Sequence, residues 1–223
     1  SWDKCSISIS VAFVCPYADE LRSLINLDHI INNIPSPDLI SHKDTVYLSV
    51  VDGDGNVVSF INSLFHPFGS GLCTPQTGIL LQNRGASFSI NPMHLNRIEG
   101  RKRPMHTIIP GMVGKDGMPI LSFGVMGGHY QACGHAHLLT NMIDYKMDLQ
   151  TAIDAPRAFH FDGVFELETQ ISHKVASILE TKGHKVCWAE FPIGGAQAIS
   201  IDTKNKVLTA ASEPRKDGLA LAW

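Results

Sequence analysis

The spacing of apolar positions changes near residue 45, and that change divides the chain. Ahead of it, Ala18 to Ile31 carries Leu21, Leu24, Ile25, Leu27, Ile30 and Ile31, which approximates one face of a helix. Ile34-Pro35-Ser36-Pro37 breaks the pattern, and Ser41-His42-Lys43-Asp44 reads as a polar, exposed link. From Thr45 the period is that of strands. Val46 to Val51 predicts a strand, Asp52-Gly53-Asp54-Gly55-Asn56 a hairpin-type connector, and Val57 to Ser63 the returning strand. Gly69-Ser70-Gly71 interrupts, and Gly78-Ile79-Leu80-Leu81 predicts a further short strand. Ile108–Val113 and Ile120–Val125, around an Asp116-Gly117 turn, predict a second hairpin.

Helical spacing follows Gly127-Gly128, at Ala132, Ala136, Leu139, Met142 and Ile143. Leu149 to Ala155 predicts a second helix, ended by Pro156. Ser172 to Gly183 predicts a third, with Gly183 as its C-terminal cap. Val186–Trp188, Ala196–Ile201 and Val207–Ala211 close the chain as strands. Strands, then helices, then strands again predict an α+β layered sandwich over residues 45–223, with residues 1–44 set apart from it.

Composition narrows the function classes. The 223 residues are 44% hydrophobic and 17% charged, enough for one sizeable core. The net charge is −3, and the only basic run, Arg101-Lys102-Arg103, is short and followed by Pro104. Neither nucleic acid nor an anionic membrane is indicated as a partner. No apolar stretch reaches the roughly 18 residues of a membrane span. Ile7 to Cys15 is too short, and too poor in basic flanks and small residues, to read as a secretory signal. Cys5, Cys15, Cys73, Cys133 and Cys187 are odd in number and widely spaced, with no C-x-x-C pair. Free thiols in a reducing compartment are therefore expected, which favours the cytoplasm over a disulfide framework or zinc ribbon.

The candidate chemistry centres on Thr45. Taken alone, it is an ordinary threonine at the edge of a strand. Its surroundings change that reading. Thr45-Val46-Tyr47-Leu48-Ser49-Val50-Val51-Asp52, followed by Asp54-Gly55-Asn56, resembles the start of the small subunit of gamma-glutamyltransferases, which are N-terminal-nucleophile hydrolases. Further matching motifs follow in family order. They are Phe68-Gly69-Ser70-Gly71, Gly78-Ile79-Leu80-Leu81 with Asn83, Lys102-Arg103-Pro104, Gly127-Gly128, Ala155-Pro156-Arg157 and Gly183-His184-Lys185-Val186.

The resemblance implies an αββα layered sandwich, here largely its C-terminal half. Residues 1–44 would be a remnant of the large-subunit end or a linker, and 45–223 the small-subunit-like catalytic domain. It implies a self-cleaving precursor cut between Asp44 and Thr45, and an acyl-enzyme on Thr45 that acts on a small-molecule amide, glutathione-like or otherwise. A threonine hydroxyl needs a base, and the freed α-amine, with a pKa of about 7.7–8.0, suits that role. Gly127 and Gly128 would form the oxyanion hole, although the pair also reads as a tight turn. Ser63 stands where the family has a threonine that bonds the nucleophile. No cofactor or metal is implied, while a large-subunit half or a second copy of the chain is. Apolar residues facing such a partner are expected at the surface.

The substrate pocket implied by the resemblance comprises Asn83, Arg84, Ser87, His106 and Thr107, and it departs from the family pattern. Phe65 replaces an asparagine, and Arg84 a glutamate or glutamine. Ser87 replaces the aspartate that holds the substrate amine, and His106-Thr107 replaces a serine pair. Arg84 favours a carboxylate, with two parallel hydrogen bonds available to it. This points toward cephalosporin-acylase-like and other amidohydrolase branches. Two other readings compete. His129, His135 and His137 near Cys133 propose a metal site, with His129 and Cys133 one helical turn apart. Alternatively, the chain is a truncated, inactive paralogue with a structural or binding role.

Overall fold

The computed structural model describes Asp19, residues 22–30 and residues 44–223. Its first sheet is the predicted hairpin, β1 (Asp44–Val51) against β2 (Val57–Phe65). The connector is built by Asp52. Its Oδ1 accepts the N–H groups of Asp54 at 3.0 Å and Asn56 at 2.8 Å, and its Oδ2 accepts from the Asn56 side chain at 2.8 Å. That local closure fixes the register of the two strands. Alternation then sorts their faces. Tyr47, Ser49 and Ser59 point inward, whereas Val46, Leu48, Val50, Val58 and Phe60 form an exposed apolar outer face.

The inner face packs on a four-stranded antiparallel sheet. It consists of β3 (Pro110–Lys115), β4 (Met118–Met126), β8 (Gly195–Asp202) and β9 (Val207–Ala211), in the order β3-β4-β8-β9. A seam of hydroxyls joins the layers. Ser49 Oγ donates to Ser122 Oγ at 2.6 Å, the Tyr47 and Ser59 hydroxyls are 2.7 Å apart, and Ser59 donates to the Gly111 carbonyl at 2.9 Å. The Tyr47 ring lies over Gly124, where a Cβ would fall 2.3 Å from ring carbons. Only glycine permits that approach.

Helices α1 (Tyr130–Ile143) and α2 (Leu149–Asp154) cover the other face of this sheet. β4 is thus buried on both sides, which explains its unbroken run of buried residues from Leu121 to Met126. Leu121, Phe123, Val125, Tyr130, Leu138, Leu149, Ile153 and Ile193 form the core between sheet and helices. The result is an α+β sandwich: a helical layer, the larger sheet and the smaller sheet.

A third sheet stands beside this stack. It contains β5 (Ala158–Phe161), β6 (Val164–Leu167) and β7 (Val186–Trp188). The sequence reading missed the β5–β6 hairpin. Its Asp162-Gly163 turn has positive φ at both residues, 49° and 74°, the conformation that favours Asp-Gly in two-residue hairpins. α3 (His173–Thr181) is capped by the Ser172 side chain at its start. At its end Gly183 N–H bonds Glu180 and His184 N–H bonds Leu179, with Gly183 at φ 95°. This is the glycine-terminated helix end that the sequence predicted.

Two predicted elements are corrected. Residues 78–81 form no strand but a single bridge, Cys73 to Leu80, next to a turn closed on Thr74. Ile79 and Leu81 are exposed, so the apolar run has no buried face to hold it in a sheet. The helix predicted over Ala18–Ile31 lies partly outside the described residues. Within them Arg22 and Ser23 are helical, while 25–30 are not. There the Asn26 side chain accepts the N–H groups of Asp28 and His29, which competes with helical bonding.

Candidate active site

Thr45 follows the Asp44–Thr45 peptide at the end of β1, opposite the end of β2. The pairing shifts register between Asp44 and Val46, so this peptide sits at a strand irregularity. Across the hairpin, Thr45 Oγ1 donates to Ser63 Oγ at 3.2 Å. Ser63 Oγ also accepts the Phe65 N–H and Arg84 Nη2, each at 3.0 Å. With those two donors aimed at it, the Ser63 oxygen is held as an acceptor beside the threonine hydroxyl.

The seam sets how β1 lies against the larger sheet. Ser49 meets Ser122, and Tyr47 lies over Gly124. Thr45 lies two residues before Tyr47 on β1, and Gly127-Gly128 directly follows Met126, the last residue of β4. These glycines have φ of 123° and 59°. Their carbonyls accept the N–H groups of Tyr130 and Gln131, which starts α1. Their own N–H groups have no hydrogen-bond partner among the described residues. A Cβ on Gly127 would fall 2.8 Å from Gly194 Cα, so the turn is pressed against the 193–195 segment.

Arg84 opens a short 3-10 turn, Arg84–Ser87. It is 7% exposed, its guanidinium stands 4.6 Å over the Phe65 ring, and burial pulls its pKa below the usual arginine value. It has no carboxylate partner among the described residues, and its buried Nη1 has no hydrogen-bond partner there. Buried arginines are ordinarily paired, so this one leaves a site for an anion open. Phe65 takes φ of 80°, unusual for an aromatic residue, where it carries the stack.

The other pocket residues differ in what they have left to offer. Asn83 is engaged with His66, accepting its N–H at 3.0 Å and meeting its ring Nδ1 at 2.9 Å. Ser87 directs its hydroxyl to the carbonyls of Arg84 and Met105, at 2.9 and 3.1 Å, which ties the turn to the segment that leads into β3. Buried Asn96 braces the same loop, donating to Ser87 O at 2.6 Å and accepting from Met105 N–H at 2.9 Å. The His106 pKa is held below its ordinary value by burial and by the charges of Arg84 and Arg103. Thr107 Oγ1 is buried and lacks a partner among the described residues. The structure thus gathers Thr45, Ser63, Arg84 and His106 in one corner, while Asn83 and Ser87 shape it.

The competing metal residues go separate ways. His129 stacks on Phe161, His135 packs on Phe123, and His137 bonds Asn141 at 3.1 Å. No helix among the described residues is long and apolar enough to cross a membrane.

One feature escaped the sequence reading. Arg157, Glu168, Glu213 and Arg215 form a buried ionic quartet. Arg157 Nη2 meets Glu213 at 2.6 Å, and Arg215 meets Glu168 and Glu213 at 2.9 Å each. Its spare valences bind backbone around the Gly194 turn. Arg157 donates to Ile193 O at 3.0 Å, Glu168 accepts Ile193 N–H at 3.0 Å, and Glu213 accepts Ala196 N–H at 2.7 Å. The quartet therefore braces the segment on which Gly127 rests.

The family model for gamma-glutamyltranspeptidase matches residues 13–223. The glutathione hydrolase-like YwrD proenzyme of Bacillus subtilis (strain 168) is 39% identical over 198 residues, 84% of this chain and 37% of its own length. The oxamate amidohydrolase proenzyme of Klebsiella pneumoniae is 36% identical over 189 residues, 81% of this chain and 36% of its own. The solved structure of cephalosporin acylase from Bacillus halodurans superposes with a TM-score of 0.88 at 39% identity, covering 99% of this chain and 40% of that one. The chain spans little more than a third of the length of the curated relatives it matches.

Proposed function

This chain belongs to the gamma-glutamyltranspeptidase family, and from that premise we propose that it carries the nucleophile of an amide hydrolase or acyltransferase. Thr45 is the nucleophile, and residues 45–223 are the catalytic domain. In the precursor the Thr45 hydroxyl attacks the Asp44 carbonyl carbon. The peptide C–N bond breaks, the nitrogen becomes the Thr45 α-amine, and water hydrolyses the resulting ester. The irregular pairing at Asp44–Thr45 leaves this peptide outside a regular ladder, which supports the reading.

In the cleaved form the α-amine takes the hydroxyl proton as the Thr45 oxygen bonds the substrate's carbonyl carbon. The uncommitted N–H groups of Gly127 and Gly128 receive the developing oxyanion. The amine leaves with the proton, and water or an acceptor amine then releases the acyl group. Ser63 holds the Thr45 hydroxyl in register.

The substrate is an amide whose acyl part carries a carboxylate and no amine. The contact chain from Thr45 Oγ1 through Ser63 to the Arg84 guanidinium carries this reading. It puts a buried cation with no carboxylate partner among the described residues two hydrogen bonds from Thr45. With Ser87 in place of an acid, a glutamyl ammonium finds no counter-charge there among the described residues and meets Arg84 instead. The names of two relatives fit: an oxamate amidohydrolase acts on a small amide bearing a carboxylate, and an acylase removes acyl groups. The exposed outer face of β1 and β2 is the surface on which we place a large-subunit half.

The test compares release of p-nitroaniline from glutaryl and gamma-glutamyl p-nitroanilides, with ammonia release from oxamate as a third arm. Turnover that needs Thr45 and favours glutaryl over gamma-glutamyl is expected. Preference for the gamma-glutamyl compound would overturn the altered amine corner, and turnover retained in Thr45→Ala would overturn the nucleophile.

A further inference from the structure

Gly127 has a second neighbour that the acyl pocket does not use. It lines a cavity of about 150 Å³ together with His129, Phe159, Phe161, Glu166 and Lys216. The wall is a ladder of rings. Phe159 stacks on Phe161 at 5.8 Å and 22°, and Phe161 on His129 at 5.7 Å and 18°. Tyr130 meets Phe159 edge-on at 5.4 Å, which fixes the inner end of the ladder. Both strands of the β5–β6 hairpin contribute, because Phe159 and Glu166 are cross-strand partners. The ladder is therefore built by backbone pairing as well as by packing.

We propose that this cavity is the subsite for the amine side of the amide, and that it takes a primary amine bearing an aromatic ring. The proposal rests on the nucleophile reading of Thr45 and deepens it. Three observations carry it. First, Gly127 lines the cavity and belongs to the turn whose N–H groups the nucleophile reading assigns to the oxyanion. An amide whose carbonyl oxygen lies on those N–H groups projects its nitrogen substituent beside the same turn. Second, a ring ladder with offset spacing accepts one more planar ring on its open face. A cavity of about 150 Å³ with aromatic rings along its wall is large enough for one benzene-sized ring. Third, the Glu166 carboxylate and the Lys216 ammonium stand in the wall of the cavity, opposite in sign. They suit an amine that also carries polar substituents.

The chemistry assigns the pocket two uses. As the acyl-enzyme forms, the Thr45 Oγ–carbon bond is made, the carbon–nitrogen bond breaks, and the amine departs into the pocket carrying the proton. In transfer the steps run in reverse, and an acceptor amine enters through the same pocket and attacks the ester carbon.

The experiment uses aniline as probe on the full chain. Ligand-detected NMR titration of aniline into Thr45→Ala reads the site without turnover. Phe161→Ala in that background removes the central ring, and Phe161→Leu keeps the apolar volume while removing the ring face. In the active chain, the ratio of kcat/KM for glutaryl p-nitroanilide to that for the primary amide of the same diacid is read for each Phe161 variant. Both variants are expected to weaken aniline binding and to lower the ratio by up to about tenfold, the upper range for a lost ring contact. Aniline binding or a ratio that ignores both substitutions overturns the subsite. Aniline binding that depends on Phe161, with no amide turned over by the unmodified chain, instead overturns the Thr45 reading and leaves the aromatic-amine site standing.

Discussion

Two regions of this molecule bury arginine, and they do so in opposite ways. Arg157 and Arg215 are matched by Glu213 and Glu168, with almost every donor and acceptor met by side chain or backbone. Arg84 is buried nearly as deeply, stacked on a ring, and has no carboxylate among the described residues. A buried charge that is fully paired serves the fold. Arg84 has no such match among the described residues and stands two hydrogen bonds from Thr45, where an anion would supply it. The quartet braces the segment against which the Gly127 turn rests, while Arg84 is the group proposed to select the acyl part.

The largest effect that would break this contrast comes from Glu213→Ala. It strands the Arg157 charge, and denaturant unfolding should show a loss of about 3–5 kcal/mol. A loss under about 1 kcal/mol, the value of an exposed pair, would deny the quartet its structural role. Arg84→Met should do the reverse. Its unfolding midpoint should hold or rise, while kcat/KM toward glutaryl p-nitroanilide falls by about 30- to 150-fold, as for a lost hydrogen-bonded charge of about 2–3 kcal/mol. Equal losses of stability in both variants would erase the distinction. Phe65→Leu removes the ring beneath Arg84 and should cost about two- to fivefold in the same kinetics, in keeping with about 0.5–1 kcal/mol for a cation–π contact.

The smallest effect is on pH. His106 has a folded pKa below its unfolded value, because burial and then Arg84 and Arg103 disfavour its charge. Between the two values the unfolded chain binds more protons, so this contribution to stability is lost as pH falls below about 6.5. Burial opposes the charge on Glu213, but Arg157 and Arg215 outweigh it and hold its pKa below the ordinary value. Its contribution is present above about pH 4.3 and lost only as pH falls through the lower folded value. The Arg84 corner should therefore weaken at a higher pH than the quartet. Unfolding midpoints of the unmodified chain and His106→Asn across that range will show a shallower decline below pH 6.5 in the variant, if His106 is part of it.

Much of this was legible in the chain. The β1–β2 hairpin was, because the Asp52 turn is local and alternation does the rest. Thr45 facing Ser63 follows from that hairpin, and Gly183 ends its helix as the pattern implied. The α+β layering followed from element order, and the family from its ordered motifs. The β5–β6 hairpin went unread although Asp162-Gly163 marked it, because the strands are only four residues each. The quartet could not be read, since it joins residues 47 and 56 positions apart that no local pattern links. The departure at Arg84 was visible, but not its burial. That depends on Asn96 and Ser87 folding a distant loop onto it.

The proposed catalysis turns on Thr45 acting as a nucleophile. The most direct measurement is the intact mass of the purified chain during incubation, beside Thr45→Ala. Two fragments that meet between Asp44 and Thr45, formed by the unmodified chain and absent from the variant, are the predicted result. A chain that stays whole under all conditions, or is cut there equally in Thr45→Ala, would contradict it.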